Sequence, residues 1–155
     1  MTITQQSQAA LFQWSSFSIG SGNTVRFDQA GSRSTAINLV TGPSASIISG
    51  QLLSNGQVFL LNPAGITFTG TASVNVGGLL ASTLTPGAQG IPLDSGGLPP
   101  SFELGGAGAG AAVSNLGGTL TATAGGISLV GGSVFNNGYI AAPLGNIDLV
   151  AAGAV

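Results

Sequence analysis

Few side chains in this sequence can do acid–base, nucleophilic or metal chemistry. The only carboxylates are Asp28, Asp94, Glu103 and Asp148, and the only cationic side chains are Arg26 and Arg33. A pair of carboxylates flanking a bond could serve a glycosidase. Asp94 and Glu103 come nearest to that pattern, within a Pro/Gly-rich stretch. Enzymes of that kind gather several acids and bases in one groove, and the sequence holds no dense cluster of them. Four scattered carboxylates also fall short of the oxygen ligands that a calcium site needs. There is no histidine and no cysteine, which excludes imidazole bases, imidazole or thiolate metal ligands, and disulfides. Without lysine there is no phosphate-loop motif. Gly106, Gly108 and Ala111 fit a G-x-G-x-x-A nucleotide fingerprint. No helical pattern follows before Gly117-Gly118, and no acidic residue lies about 20 positions on, so the match is one of composition. The expectation is no catalytic residue, no metal, no cofactor and no enzyme.

The elements that could position any site are short and β-like. The chain has 155 residues, enough for one domain with a core. It is 43% hydrophobic but only 4% charged, with 27 glycines and a mean hydropathy of +0.51. A net charge of −2 with two cations excludes a basic nucleic-acid surface. Disordered chains pair low hydrophobicity with high net charge, and this chain has neither. Apolar runs such as Val58 to Leu61 are far short of a membrane helix. The opening MTITQQSQAA has neither the positive region nor the apolar stretch of a secretory signal, so the chain as given is expected to carry no export address.

Phe12 and Trp14, Phe17 and Ile19, and Val25 and Phe27 alternate with polar residues. Residues 57–61, 65–68, 73–76, 119–123, 127–130 and 147–150 are similar short runs rich in Val, Ile, Thr and Phe, which predicts strands. Turn signals follow at Gly117-Gly118, Gly125-Gly126, Gly131-Gly132, Asn137-Gly138 and Gly145-Asn146, spaced about seven residues apart, so three make about 20. At that period Ile127-Ser128-Leu129-Val130 recurs as Ile147-Asp148-Leu149-Val150. A weaker echo aligns residues 57–68 with 138–149, about four periods away. Three strands and three turns in about 20 residues predict one coil of a parallel β-helix. About seven coils stacked at about 4.8 Å would make a rod of roughly 35 Å. Neutral Thr, Ser and Asn suit such a stack, because like charges stacked above one another repel. The competing architecture is an antiparallel sandwich, since Asn55-Gly56 and Asn137-Gly138 are hairpin signals. Residues 84–101, with Pro86, Pro92, Pro99 and Pro100, interrupt the rhythm and read as an excursion from the rod. The run GGAGAGAA at 105–112 reads as a loop or a flat strand of small residues.

Three stretches carry a family resemblance: ITQQSQAALFQWSSFSIGSGNTVRFDQ, ASIISGQLLSNGQVFLLNPAGITFTGTASVNVGGLLAST and GGISLVGGSVFNNGYIAAPLGNIDLVAAG. The chain resembles the N-terminal secretion domain of two-partner secretion exoproteins, the filamentous haemagglutinin-type haemagglutination-activity domain. The likeness runs through nearly the whole chain and is weakest at 84–100. Within 51–83 the Asn-Gly, Asn-Pro-x-Gly-Ile and Gly-Gly-Leu-x-Ala-Ser-Thr motifs stand in family order. The resemblance implies a right-handed parallel β-helix with accessory antiparallel strands, spanning 1–155 as one secretion domain truncated at both ends. It implies type V export from a Gram-negative bacterium through the periplasm and outer membrane to the medium or cell surface. An outer-membrane transporter would read this domain through its periplasmic domains, and folding at the surface would begin here. The full-length protein would be adhesin-like, with a host-surface or glycan ligand. Three positions or motifs depart from the family pattern: Ala64 replaces a common Asn, Leu39 replaces a common basic residue, and a second Asn-Pro motif is not visible.

The candidate recognition motif is Asn62, Pro63, Ala64, Gly65 and Ile66. Its residues also account for a turn: Asn62 can bond nearby backbone, Pro63 fixes φ, and Gly65 supplies a permissive corner. Asn55, Gly56, Asn137 and Gly138 are expected to be structural turns. Trp14, Phe17 and Phe27 read as core or cap residues, Arg26 and Asp28 as a solvated local pair, and Arg33 as a loop charge. The alternative function is a structural or adhesive β-solenoid that self-associates through uncapped coil ends. An outer-membrane barrel needs longer strands and aromatic girdles than the chain provides.

Overall fold

The computed structural model describes residues 1–86, 104–105 and 110–151. They form a parallel β-solenoid of six coils, each with up to three faces. The first coil holds β1 (Thr2–Gln5) and β2 (Ala9–Trp14), with Ile19 bridging to the third face of the next coil. The second holds β3 (Thr24–Gln29), β4 (Thr35–Val40) and β5 (Ser46–Ile48). The third holds β6 (Gln51–Ser54), β7 (Gln57–Leu61) and β8 (Ile66–Phe68). The fourth starts with β9 (Ser73–Val76) and β10 (Gly78–Ser82). It then leaves the stack, where β11 (Thr85–Pro86) and β12 (Leu104–Gly105) form an accessory antiparallel pair, and closes with β13 (Ala112–Asn115). The fifth holds β14 (Thr119–Ala122), β15 (Ile127–Gly131) and β16 (Ser133–Asn136), and the last holds β17 (Tyr139–Ala141) and β18 (Ile147–Ala151). The first faces stack as β1-β3-β6-β9-β14-β17, the second as β2-β4-β7-β10-β15-β18 and the third as β5-β8-β13-β16. Every pairing within these sheets is parallel.

Alternation builds the core. Strands such as β3, β9 and β15 turn every second side chain inward, and the register places like above like. On the first face Val25, Leu52, Val74 and Leu120 form one buried column. On the second, Ala36, Val58, Leu79 and Ile127 form another, and beside it run Leu60, Ala81 and Leu129. Ile19, Ile48 and Phe68 stack on the third. Burying each large member contributes about 1.5–3 kcal/mol.

The solenoid expectation holds and the sandwich does not. The 20-residue repeat is the true register, with Ile127 directly under Ile147 and Leu129 under Leu149. Two expectations need correction, and the hairpin signals of the competing architecture need a different account. The described residues form six coils instead of seven: Ile127 stands 48 residues after its partner Leu79, and between them β11 and β12 pair with each other and not with the stack. The echo between 57–68 and 138–149 is not a coil repeat. β7 lies on the second face, whereas β17 lies on the first. The Asn-Gly pairs turn no hairpins: they are corners between faces, and among the described residues only Gly22, Gly65 and Gly117 have positive φ. A two-residue I′ hairpin needs positive φ at both of its central residues. Residues 87–103, with Asp94 and Glu103, and the fingerprint positions Gly106 and Gly108 lie outside the described residues.

The two ends differ. At the first coil Phe12 packs on Phe27 at 5.8 Å, and Trp14 meets Phe17 edge-on at 5.4 Å, as expected for core or cap aromatics. Trp14 Nε1 donates to Oδ1 of the buried Asn38 at 3.0 Å. Asn38 Nδ2 donates in turn to the Phe59 carbonyl at 3.2 Å. Replacing Trp14 with Phe would keep an aromatic ring but strand Asn38 Oδ1. The expected loss is about 1–3 kcal/mol, read as a lower urea midpoint at constant slope. An unchanged midpoint would mean that water replaces the indole.

Candidate recognition site

The motif at 62–66 forms the corner between β7 and β8. Asn62 is fully buried and satisfied on every side. Its Nδ2 donates to the Ser44 carbonyl at 3.0 Å and to Ser46 Oγ at 2.9 Å, both in the coil before. Its Oδ1 accepts from the Ala64 N–H at 2.9 Å, closing an Asx turn. Its own N–H donates to the Ser82 carbonyl in the coil after, at 2.9 Å. The Gly65 N–H returns to the Asn62 carbonyl at 3.1 Å. Gly65 has φ of +125°, a conformation that favours glycine. Ile66 then re-enters the core with no exposed surface.

Asn62 therefore pins three successive coils together. Pro63 is half-buried and Ala64 is exposed, so only the tip of the motif faces solvent. The turn presents a small, uncharged surface with no group able to act as acid, base or nucleophile.

The other corners follow the same economy. Asn55 exchanges two hydrogen bonds with the backbone of Gln29 in the coil before. The Gln29 N–H donates to its Oδ1, and its Nδ2 donates to the Gln29 carbonyl, each at 2.8 Å. Inside that corner Gln29 Nε2 reaches Gln5 Oε1 and the Gln57 carbonyl, both at 3.2 Å. Asn137-Gly138 joins β16 to β17. There a Cβ on Gly138 would lie 2.3 Å from the Gly118 carbonyl, so close approach of coils requires glycine. Asn115 below it donates to Asn136 Oδ1 at 3.0 Å. At these residues coil-to-coil packing takes the place of hairpin geometry.

Outside the corners, Arg26 and Asp28 point outward from β3 and are both exposed. Arg26 lines a shallow groove of about 300 Å³ with Leu53, Ser54, Asn55 and Asn75. Among the described residues no three His, Cys, Asp or Glu side chains come together to hold a metal ion.

The buried polar residues Gln5, Gln29, Asn38, Ser46 and Ser82 were not singled out from sequence. The signal was present in phase: Gln29 follows Val25 and Phe27, and Asn38 follows Ala36, at inward positions of their strands.

A family model, the TPS secretion domain, matches residues 1–154. The chain belongs to this family. The crystal structure of the HMW1 secretion domain from Haemophilus influenzae superposes with a TM-score of 0.80 at 32% identity, covering 97% of this chain and 39% of that one. A heme/hemopexin-binding protein of Haemophilus influenzae is 47% identical over 83 residues, which is 54% of this chain and 9% of that protein. Its counterpart from strain Rd is 46% identical over the same length. This TPS secretion domain thus spans under a tenth of the curated relatives it matches. Membership assigns it a secretion-related role in two-partner secretion.

Proposed function

We propose that residues 1–155 act as one secretion domain that the periplasmic domains of an outer-membrane two-partner transporter read, and that folding of the exported protein starts on it. The observation behind this reading is the agreement of the family model and the HMW1 secretion domain over almost the whole chain. The domain performs no catalysis in this reading. Its task is to be recognised and then to template the next coil. The exported protein reaches the surface or the medium through the periplasm and outer membrane, and any host-surface or glycan ligand belongs to the full-length protein. What the heme/hemopexin-binding relative binds is not carried over, because the match covers 9% of that protein.

The test places the chain behind a signal peptide, co-expresses a two-partner transporter from the source genome, and quantifies protein in the medium. Release that requires the transporter is expected, and the Asn62→Ala/Pro63→Ala double variant is expected to abolish it. Soluble, β-rich, protease-resistant protein held in the periplasm despite the transporter would overturn the proposal.

That outcome would favour a structural or adhesive solenoid.

A further inference from the structure

The chain holds two Asn-Gly steps in the described coils, Asn55-Gly56 and Asn137-Gly138, and their surroundings differ at the atom that matters. In an Asn-Gly step the glycine nitrogen can attack the asparagine carboxamide carbon, because no Cβ shields it. We propose that Asn137 is a site of spontaneous deamidation to aspartate and isoaspartate, that Asn55 is protected by its coil, and that modification at Asn137 loosens the last coil.

The two nucleophiles are similarly engaged. The Gly56 N–H donates to Ser54 Oγ at 2.9 Å and the Gly138 N–H to Asn136 Oδ1 at 3.1 Å. Both asparagines are exposed. The electrophiles differ. The Asn55 carboxamide is held by two hydrogen bonds of 2.8 Å to the Gln29 backbone, so it must break both to swing toward Gly56. The Asn137 carboxamide makes no hydrogen bond among the described residues, and only its backbone is tied, by its N–H to the Asn115 carbonyl at 2.8 Å. Losing two hydrogen bonds before reaction slows Asn55 by about tenfold or more relative to Asn137.

In the reaction the Gly138 nitrogen gives up its proton to base and bonds to Asn137 Cγ. The Asn137 Nδ2 group takes a proton and leaves as ammonia, giving a succinimide. Water then opens the ring at one carbonyl to give aspartate or at the other to give isoaspartate. The sum is asparagine plus water going to the acid plus ammonia. Isoaspartate lengthens the main chain by one methylene at a corner with no slack, since Gly138 lies against the Gly118 carbonyl. Beyond that corner, among the described residues, β17 pairs with β14 alone and β18 with β15 alone. The strain therefore falls on the last described coil.

The test incubates the native chain at mildly alkaline pH and maps deamidation and isoaspartate by mass spectrometry, with a parallel sample in urea. In urea the two steps are expected to react at similar rates. In the folded protein Asn137 is expected to react about tenfold or more faster than Asn55. In aged protein, hydrogen exchange is expected to rise in β17 and β18 and stay constant in β3 to β7, and an Asn137→Ser variant should not age this way. Equal rates at both sites in the folded state would overturn the proposal, as would protection of Asn137 to the same degree as Asn55. Modified protein with unchanged exchange in β17 and β18 would refute the loosening of the coil.

Discussion

Asn62→Ala is expected to cost this domain about 2–4 kcal/mol of stability, a large share of what a domain this size has. The truncation removes one acceptor and two donors at once. Ser46 Oγ, the Ser44 carbonyl and the Ala64 N–H each lose a partner, and Asn62 itself is sealed from water. Unsatisfied buried groups cost more than the bonds they made were worth. Asn62→Asp isolates the donors: it keeps the shape and the bond from Ala64, yet sets a carboxylate oxygen against the Ser44 carbonyl. It should be at least as harmful as Ala. Ala64 is exposed, so Ala64→Asn should shift stability by no more than about 0.5 kcal/mol. Urea unfolding of the three variants checks the series. Its value lies in pairing with secretion. A motif that acts by folding would lose export with Asn62→Ala and keep it with Ala64→Asn. A motif that acts through its surface would respond to the exposed tip at Pro63 and Ala64 while stability stays constant.

Much of this architecture was legible because the solenoid repeats its own physics. The strand at 127–130 and its copy at 147–150 proved to be register partners, so the 20-residue period was a direct reading of one coil. The misreadings have physical causes. Asn55-Gly56 carries the composition of a hairpin turn, but its backbone stays at negative φ, and its glycine serves close packing: a Cβ there would come 2.7 Å from the Ser34 carbonyl. Composition cannot distinguish a glycine needed for φ from one needed for space. The coil count failed because a detour such as the one between β10 and β13 consumes residues without adding a layer. At the candidate site the sequence named Asn62 but not its partners. Ser44, Ser46 and Ser82 lie in neighbouring coils, and their role follows only from register.

Leu129 and Leu149 offer the sharpest test of that register. They occupy equivalent places in the repeated motif, and one stacks directly on the other. Leu129 has no exposed surface, while Leu149 is 47% exposed because no coil of the described chain covers it. Leu129→Ala is expected to cost about 2–5 kcal/mol, combining lost transfer energy with a cavity between coils that cannot collapse. Leu149→Ala should cost less than about 1 kcal/mol, since half the side chain already meets water. Denaturant midpoints for both variants, taken over a range of protein concentrations, decide the matter. In a stack whose coils touch only their neighbours, the penalty at a position measures how many neighbours it has. A Leu149→Ala penalty that stays small at all concentrations marks a free end. One that grows toward the Leu129 value as concentration rises would mean that a second chain has seated itself on β18, and the coil would then be completed from outside.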